Sequence, residues 1–261
     1  MGENPFGKTS KLSLTAQKKE GKTILQDVYF TAPYKIMQPF VKKDGAIEVM
    51  LLAASAGIME GDRQEFNFFI RQGADLKFVS QSYDKIHQMK EGCAKRHTHV
   101  IVEKEARFCF HPQPTIPFKD SAFENIMKIE LEDETADFRM SEIFSCGRYA
   151  SGEKFAYRFY HNLVEVYRDK KLIYRDNVRY EPEIFDLSGM GMYEGYTHLS
   201  SMFVSRPKQA KRFYEFVREF LEKEKLEGDI TCLSQGDYVI RILGRRAQQL
   251  EKANQTILEW K

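Results

Sequence analysis

Two features that would narrow the function quickly are missing from this sequence: a surplus of charge and a long apolar run. Lys and Arg total 40 against 38 Asp and Glu, a net charge of +2 in 261 residues. A polyanion-binding domain needs a clear basic excess, so no nucleic-acid partner is expected. No stretch approaches the ~18 apolar residues that cross a bilayer. The longest, Val49 to Ile58, is interrupted by Ser55 and followed by Glu60 and Asp62. No membrane partner is expected either. The N-terminus lacks a hydrophobic signal core, and Phe6 stands where a myristoylation pattern requires Ser or Thr, which predicts a cytoplasmic protein. Cysteine is scarce: Cys93, Cys109, Cys146 and Cys232 have no C-x-x-C spacing and read as free thiols. G-x-S-x-G, H-E-x-x-H and Gly-rich dinucleotide patterns are all absent.

Aromatics are plentiful, with 20 Phe and 13 Tyr, and they fall in alternating runs between about Val28 and Tyr180. Phe66, Phe68 and Ile70 alternate with Asn67 and Phe69. Leu76/Phe78, Val100/Val102, Phe108/Phe110, Met127/Ile129/Leu131 and Phe155/Tyr157/Phe159 repeat the period of two. Short alternating runs separated by Gly and Pro predict an all-β body: a sandwich, a barrel or a solenoid. The C-terminal fifth differs. Phe213, Phe216, Val217, Phe220 and Leu221 form one helical stripe, entered through Ser205 and Pro207 and closed by Gly228. A strand pair, Asp229 to Leu233 and Tyr238 to Leu243, precedes a second helix from Arg245 to Trp260. With no linker or repeat, residues 1–261 are expected to form one domain, with 1–20 as a flexible or edge segment.

Gly2-Glu3-Asn4-Pro5-Phe6-Gly7-Lys8-Thr9 spells the phosphate-loop pattern G-x-x-x-x-G-K-T. That loop works only between a buried strand and a helix. Here no strand precedes it and Lys11 to Lys18 alternates like a strand, so the match reads as chance and no bound cofactor is expected. His87, His97, His99 and His111 cluster with Cys93 and Cys109. Cys93, His97 and His99 could supply a thiolate and two imidazoles to Zn²⁺ or Ni²⁺. The competing reading is a solvated basic hairpin, because Lys90, Lys95 and Arg96 share the segment. In the run Ala136 to Cys146, Glu142 takes an inward slot among Phe138, Met140 and Phe144. A buried carboxylate needs a partner such as Arg148, a wet cavity, or a shifted pKa. Asp62, after Gly61, is a similar case with a turn-capping alternative.

Several ordered blocks resemble the urease accessory protein family called UreD, or UreH in some bacteria. They are Phe30 to Phe40, Val49 to Asp62, Ser80 to His87, Pro112 to Phe118, Glu142 to Arg148, Gly195 to His198 and Val239 to Gly244. The resemblance implies a β-solenoid, a super-helical stack of short strands, with two C-terminal helices. It implies a non-catalytic chaperone for nickel insertion into urease, which binds UreF, recruits the UreG GTPase through UreF, and docks on the urease apoprotein. GTP hydrolysis would belong to that partner. It also implies an internal passage for transient Ni²⁺, with Asp62 and Glu142 along the path and Ser80 and Ser82 lining it. The chain departs from the family pattern at Ala56-Gly57, where Gly-Gly is usual, and at Asp84-Lys85-Ile86-His87, where T-K-x-Y is usual. The Cys93/His97/His99 loop has no family counterpart. The reading of another class is a stand-alone metal-dependent enzyme using that loop, with Glu142 as general base.

Overall fold

The computed structural model describes residues 9–260. Its strands in chain order are β1 Thr9–Lys19, β2 Lys22–Phe30, β3 Tyr34–Ile36, β4 Phe40–Val41, β5 Ile47–Ala53 and β6 Arg63–Ile70. Next come β7 Asp75–Ser80, β8 Asp84–Ile86, β9 Ala94–Val102, β10 Arg107–His111, β11 Thr115–Pro117 and β12 Ala122–Leu131. Then follow β13 Asp137–Ser145, β14 Phe159–Arg168, β15 Lys171–Tyr180 and β16 His198–Val204. Helix α1, Ala210–Lys223, precedes β17 Glu227–Cys232 and β18 Tyr238–Gly244, and α2, Ala247–Leu258, ends the described chain. A mainly β body with two C-terminal helices agrees with the alternation read from the sequence.

The strands form two sheets. Sheet one runs β15-β14-β12-β9-β6-β1-β2, and the path of sheet two runs β17-β18-β16-β13-β10-β7-β5-β3. From β5 to β14 the main strands alternate between the sheets: β6, β9, β12 and β14 lie side by side in parallel, as do β5, β7, β10 and β13. Parallel neighbours cannot be joined by a hairpin. Crossing to the opposite sheet and back supplies the connection.

This path explains the period of two. Each strand turns one side chain in two toward the space between the sheets, so the alternating aromatics meet there. Phe68 packs edge-on to Phe78 (4.9 Å) and against Phe108 (5.1 Å) and Phe110 (5.9 Å). Burying side chains of this size contributes roughly 1.5–3 kcal/mol each. Helix α1 buries Phe213, Val217 and Leu221, one residue per turn. Helix α2 is held at its end by Arg139, which donates to the carbonyl oxygens of Leu258 and Trp260, both at 2.8 Å, and so satisfies C-terminal carbonyls that lack partners in the helix.

The structure corrects four local expectations. Residues 9–19, placed in an edge or flexible segment, form β1 between β2 and β6, with Leu12, Leu14 and Ala16 fully buried. The Phe155/Tyr157/Phe159 alternation is not a strand: Phe155 has φ +50° and β14 begins only at Phe159. Gly228 does not close α1 but lies within β17, against the Arg241 backbone. Lys95 and Arg96 lie not in a hairpin but in β9, between parallel neighbours, where Lys95 is solvated as expected and Arg96 is largely buried. The phosphate-loop match lies outside the described residues except for Thr9, the first residue of β1.

Candidate functional site

Rungs between the sheets are mostly apolar, and one is polar on all four of its strands. Gln64, Arg96, Asn125 and Asn162 stand side by side on β6, β9, β12 and β14, in register across all four strands. Two residues further along each strand the rung reads Phe66, Thr98, Met127 and Val164. On the other side it reads Ala94, Phe123 and Tyr160. A polar band thus crosses the interior between layers that are apolar apart from Thr98.

Glu142 reaches this band from β13 in the opposite sheet. Asn162 Nδ2 donates to its Oε2 at 2.9 Å and Asn125 Nδ2 to its Oε1 at 3.3 Å, while Asn125 also donates to Asn162 Oδ1 at 2.7 Å. Burial raises the carboxyl pKa above the usual range, opposed by the amide donors and the nearby Arg96 charge. The inward slot inferred from the alternation is therefore correct, but the partner is not Arg148. That guanidinium pairs with Glu153 and lies 4.1 Å over the Phe118 ring.

Arg96 is the cation of the band. Its Nη1 donates to Asp84 Oδ2 at 2.6 Å and its Nε to Gln64 Oε1 at 2.7 Å, and it lies 5.1 Å from the Phe66 ring and 5.6 Å from Phe123. Burial works against its charge, but Asp84 outweighs that and holds the guanidinium firmly protonated.

Arg96 and Asp84 border a cavity of about 520 Å³ that Asp62, Ser80, Ser82 and Tyr34 also line. Asp62 both caps and faces the cavity: its Oδ2 accepts from the Met59 N–H at 2.8 Å. Ser80 Oγ accepts from the Gln113 N–H at 2.8 Å. Beyond Arg96 the space narrows to about 10 Å³ among Asp84, Arg96, Asn125 and Glu142, the size of one water at most. It then opens to about 50 Å³ bounded by Glu142, Asn162, Asp176 and Arg241. Arg241 Nη2 donates to Asp176 Oδ1 at 2.9 Å there. Shared lining residues make the three spaces consecutive. Two buried atoms along them, Tyr34 Oη and Asn125 Oδ1, have no protein hydrogen-bond partner. Buried polar atoms of this kind are ordinarily satisfied by water or ligand.

The structure thus brings Asp62, Ser80 and Ser82 into one cavity and puts Glu142 between the next two spaces. It does not assemble Cys93, His97 and His99. The two histidines share a face of β9, as the spacing predicts, but it is the outer face of sheet one: Thr98 and Val100 between and beyond them point into the core. His99 Nε2 lies 2.7 Å from Glu130 Oε1, while Cys93 packs against the separate Ile58/Ile86/Phe123 cluster. No group of three or more His, Cys, Asp or Glu among the described residues is placed to hold a metal ion. Glu142, facing the interior, is on the wrong side of sheet one to act as a base for those histidines, which removes the stand-alone metalloenzyme reading.

Asp84, Arg96, Gln64, Asn125 and Asn162 are the site residues that sequence reasoning missed. Each occupies an inward position in an alternating run, as Glu142 does. That signal could have found Arg96 and Asn125, had their strands been phased against their apolar neighbours. Neither helix of the described chain is long and apolar enough to cross a membrane.

The family model for UreD urease accessory protein matches residues 8–260. A urease accessory protein UreD of Acetivibrio thermocellus is 38% identical over 251 residues, 95% of either chain. A urease accessory protein UreH of Helicobacter pylori is 33% identical over 249 residues, covering 95% of this chain and 92% of that one. A UreD of Flavobacterium johnsoniae is 29% identical over 94% of this chain and 89% of its own.

Proposed function

The chain belongs to the UreD family of urease accessory proteins, and from that premise we propose that it is a non-catalytic conduit for Ni²⁺ during urease maturation. The observation that carries this reading is the polar band joining three consecutive spaces between otherwise apolar sheets. Ni²⁺ is cargo here, so its ligands must exchange. Carboxylate, hydroxyl, amide and water oxygens bind it weakly enough for that, whereas a thiolate cage would retain it. Asp62 offers a carboxylate in the first cavity, Ser80 and Ser82 offer hydroxyls beside it, and Glu142 offers the next carboxylate along. The orphaned Tyr34 and Asn125 oxygens support water in the route. The parallel path that alternates between the sheets supports reading the body as a β-solenoid, whose hollow axis would be this route.

In the same reading the chain binds UreF, recruits the UreG GTPase through it, and docks on apo-urease. Exposed apolar side chains on the first sheet's edge and the adjoining hairpin, including Tyr29, Phe30, Phe40 and Val41, support such docking. The test is urease maturation with Asp62→Ala and Glu142→Ala, with nickel content of urease and recovery of the accessory complex measured together. Loss of nickel with the complex intact supports the conduit. Unchanged nickel leaves a passive scaffold.

A further inference from the structure

The route narrows to about 10 Å³, and a cation stands at the narrowing. Arg96 lines both the large cavity and the narrow space beyond it, and so does Asp84, its partner at 2.6 Å. A dication moving from Asp62 to Glu142 must pass a fixed positive charge in a space of about 10 Å³. Coulomb repulsion in such a setting is not screened as it is in water.

We propose that Arg96 is a displaceable gate: Ni²⁺ entering the large cavity competes for the Asp84 carboxylate, and the released guanidinium turns toward Glu142 and unblocks the space between them. This rests on the conduit reading. Three features suit Arg96 to the task. Glu142 lines the same narrow space as Arg96 and Asp84, so a second carboxylate borders the guanidinium's surroundings. Asp84 sits on β8, three residues long and off the main path of sheet two, while Arg96 sits mid-sheet on β9. The Phe66 and Phe123 rings give the guanidinium cation–π contacts that do not depend on Asp84.

The gate makes Arg96 an antagonist of nickel binding, which a merely structural arginine is not. The full chain in its accessory complex is equilibrated with Ni²⁺ alone and binding is read by dialysis, for wild type, Arg96→Gln, Arg96→Lys and Asp84→Asn. Arg96→Gln is expected to bind Ni²⁺ about tenfold more tightly, the size of one charge-assisted hydrogen bond no longer in competition. Arg96→Lys should restore wild-type affinity, and Asp84→Asn should weaken binding. Thermal unfolding checks that each variant is folded. If Arg96→Gln lowers complex recovery, the Arg96→Lys and Asp84→Asn arms decide alone: a Lys variant near wild type with a weakened Asn variant sustains the gate. Equal or weaker binding by a folded Arg96→Gln, or equal binding by Asp84→Asn, overturns it. Asp62→Ala and Glu142→Ala separate the two ideas. If they still abolish nickel delivery, the conduit stands without the gate; if they do not, the conduit itself fails.

Discussion

Arg168 and Asp237 form a two-bond ion pair, Nη1 to Oδ2 at 3.0 Å and Nη2 to Oδ1 at 2.5 Å, with side chains 5% and 0% exposed. It ties the end of β14 in sheet one to the β17–β18 turn of sheet two. Removing one partner leaves the other charged and dry. Asp237→Ala is therefore expected to lower stability by about 3–5 kcal/mol in urea unfolding, while the pair Arg168→Met, Asp237→Leu loses far less.

Gly57 is required by geometry and Ala56 is not. Gly57 has φ +149°, and a Cβ there would strike the Lys85 carbonyl oxygen and come 2.7 Å from His87 Cδ2. Ala56 only presents its carbonyl oxygen to His87 Nε2 at 3.0 Å. Of the two adjacent positions, only Gly57 demands a glycine. Gly57→Ala should cost about 1–3 kcal/mol, read as a lower melting temperature, while Ala56→Gly should change it little.

Legibility in the sequence follows the range of the interaction. Period two and the helical stripe are local, so the runs around Phe68, Phe108, Ile129 and Phe213 could be read directly. Glu142's inward slot came from the same local phase. Register is not local. Nothing in the chain announces that Gln64, Arg96, Asn125 and Asn162, spread over almost 100 positions, fall on one rung, because each owes its neighbours to a crossing between sheets. The histidines erred for the opposite reason: proximity in sequence suggested a cluster, but alternation puts His97 and His99 on the face away from the interior.

His111 gives a pH dependence of one sign. Burial pushes its imidazole down to about 4, and Nδ1 lies 2.6 Å from Ser141 Oγ. A depressed folded pKa means the unfolded chain takes the proton first. Its contribution is complete above the ordinary value near 6.5 and is lost as pH falls toward about 4, at most about 3 kcal/mol. His111→Gln should flatten the stability profile between those limits.

Glu142 gives the other sign. Its folded pKa is raised, so its contribution to stability is present below the ordinary carboxyl value and is lost as pH rises through the folded value. Glu142→Gln should therefore gain stability relative to wild type as pH increases from about 4. Melting temperatures of the two proteins across pH test this; a constant or shrinking difference contradicts it.

The polar band itself can be separated from its structural surroundings. Glu142 and its donors Asn125 and Asn162 form a buried hydrogen-bonded network, and replacing every partner of such a network by apolar side chains of similar size can be neutral or stabilising. Removing only Asn162 would strand the Glu142 carboxylate, so a single variant confounds loss of route with loss of fold. The triple change Asn125→Leu, Asn162→Leu, Glu142→Leu removes the carboxylate together with both of its amide donors and leaves Gln64 and Arg96 on the rung. Its melting temperature is expected to equal or exceed that of the wild type. If the band is the path for Ni²⁺, the same protein should assemble with its partners and yet leave urease without metal. Urease with normal nickel from this variant would mean that the cargo travels elsewhere. Stability and delivery then move in opposite directions, an outcome that general damage to the fold cannot produce.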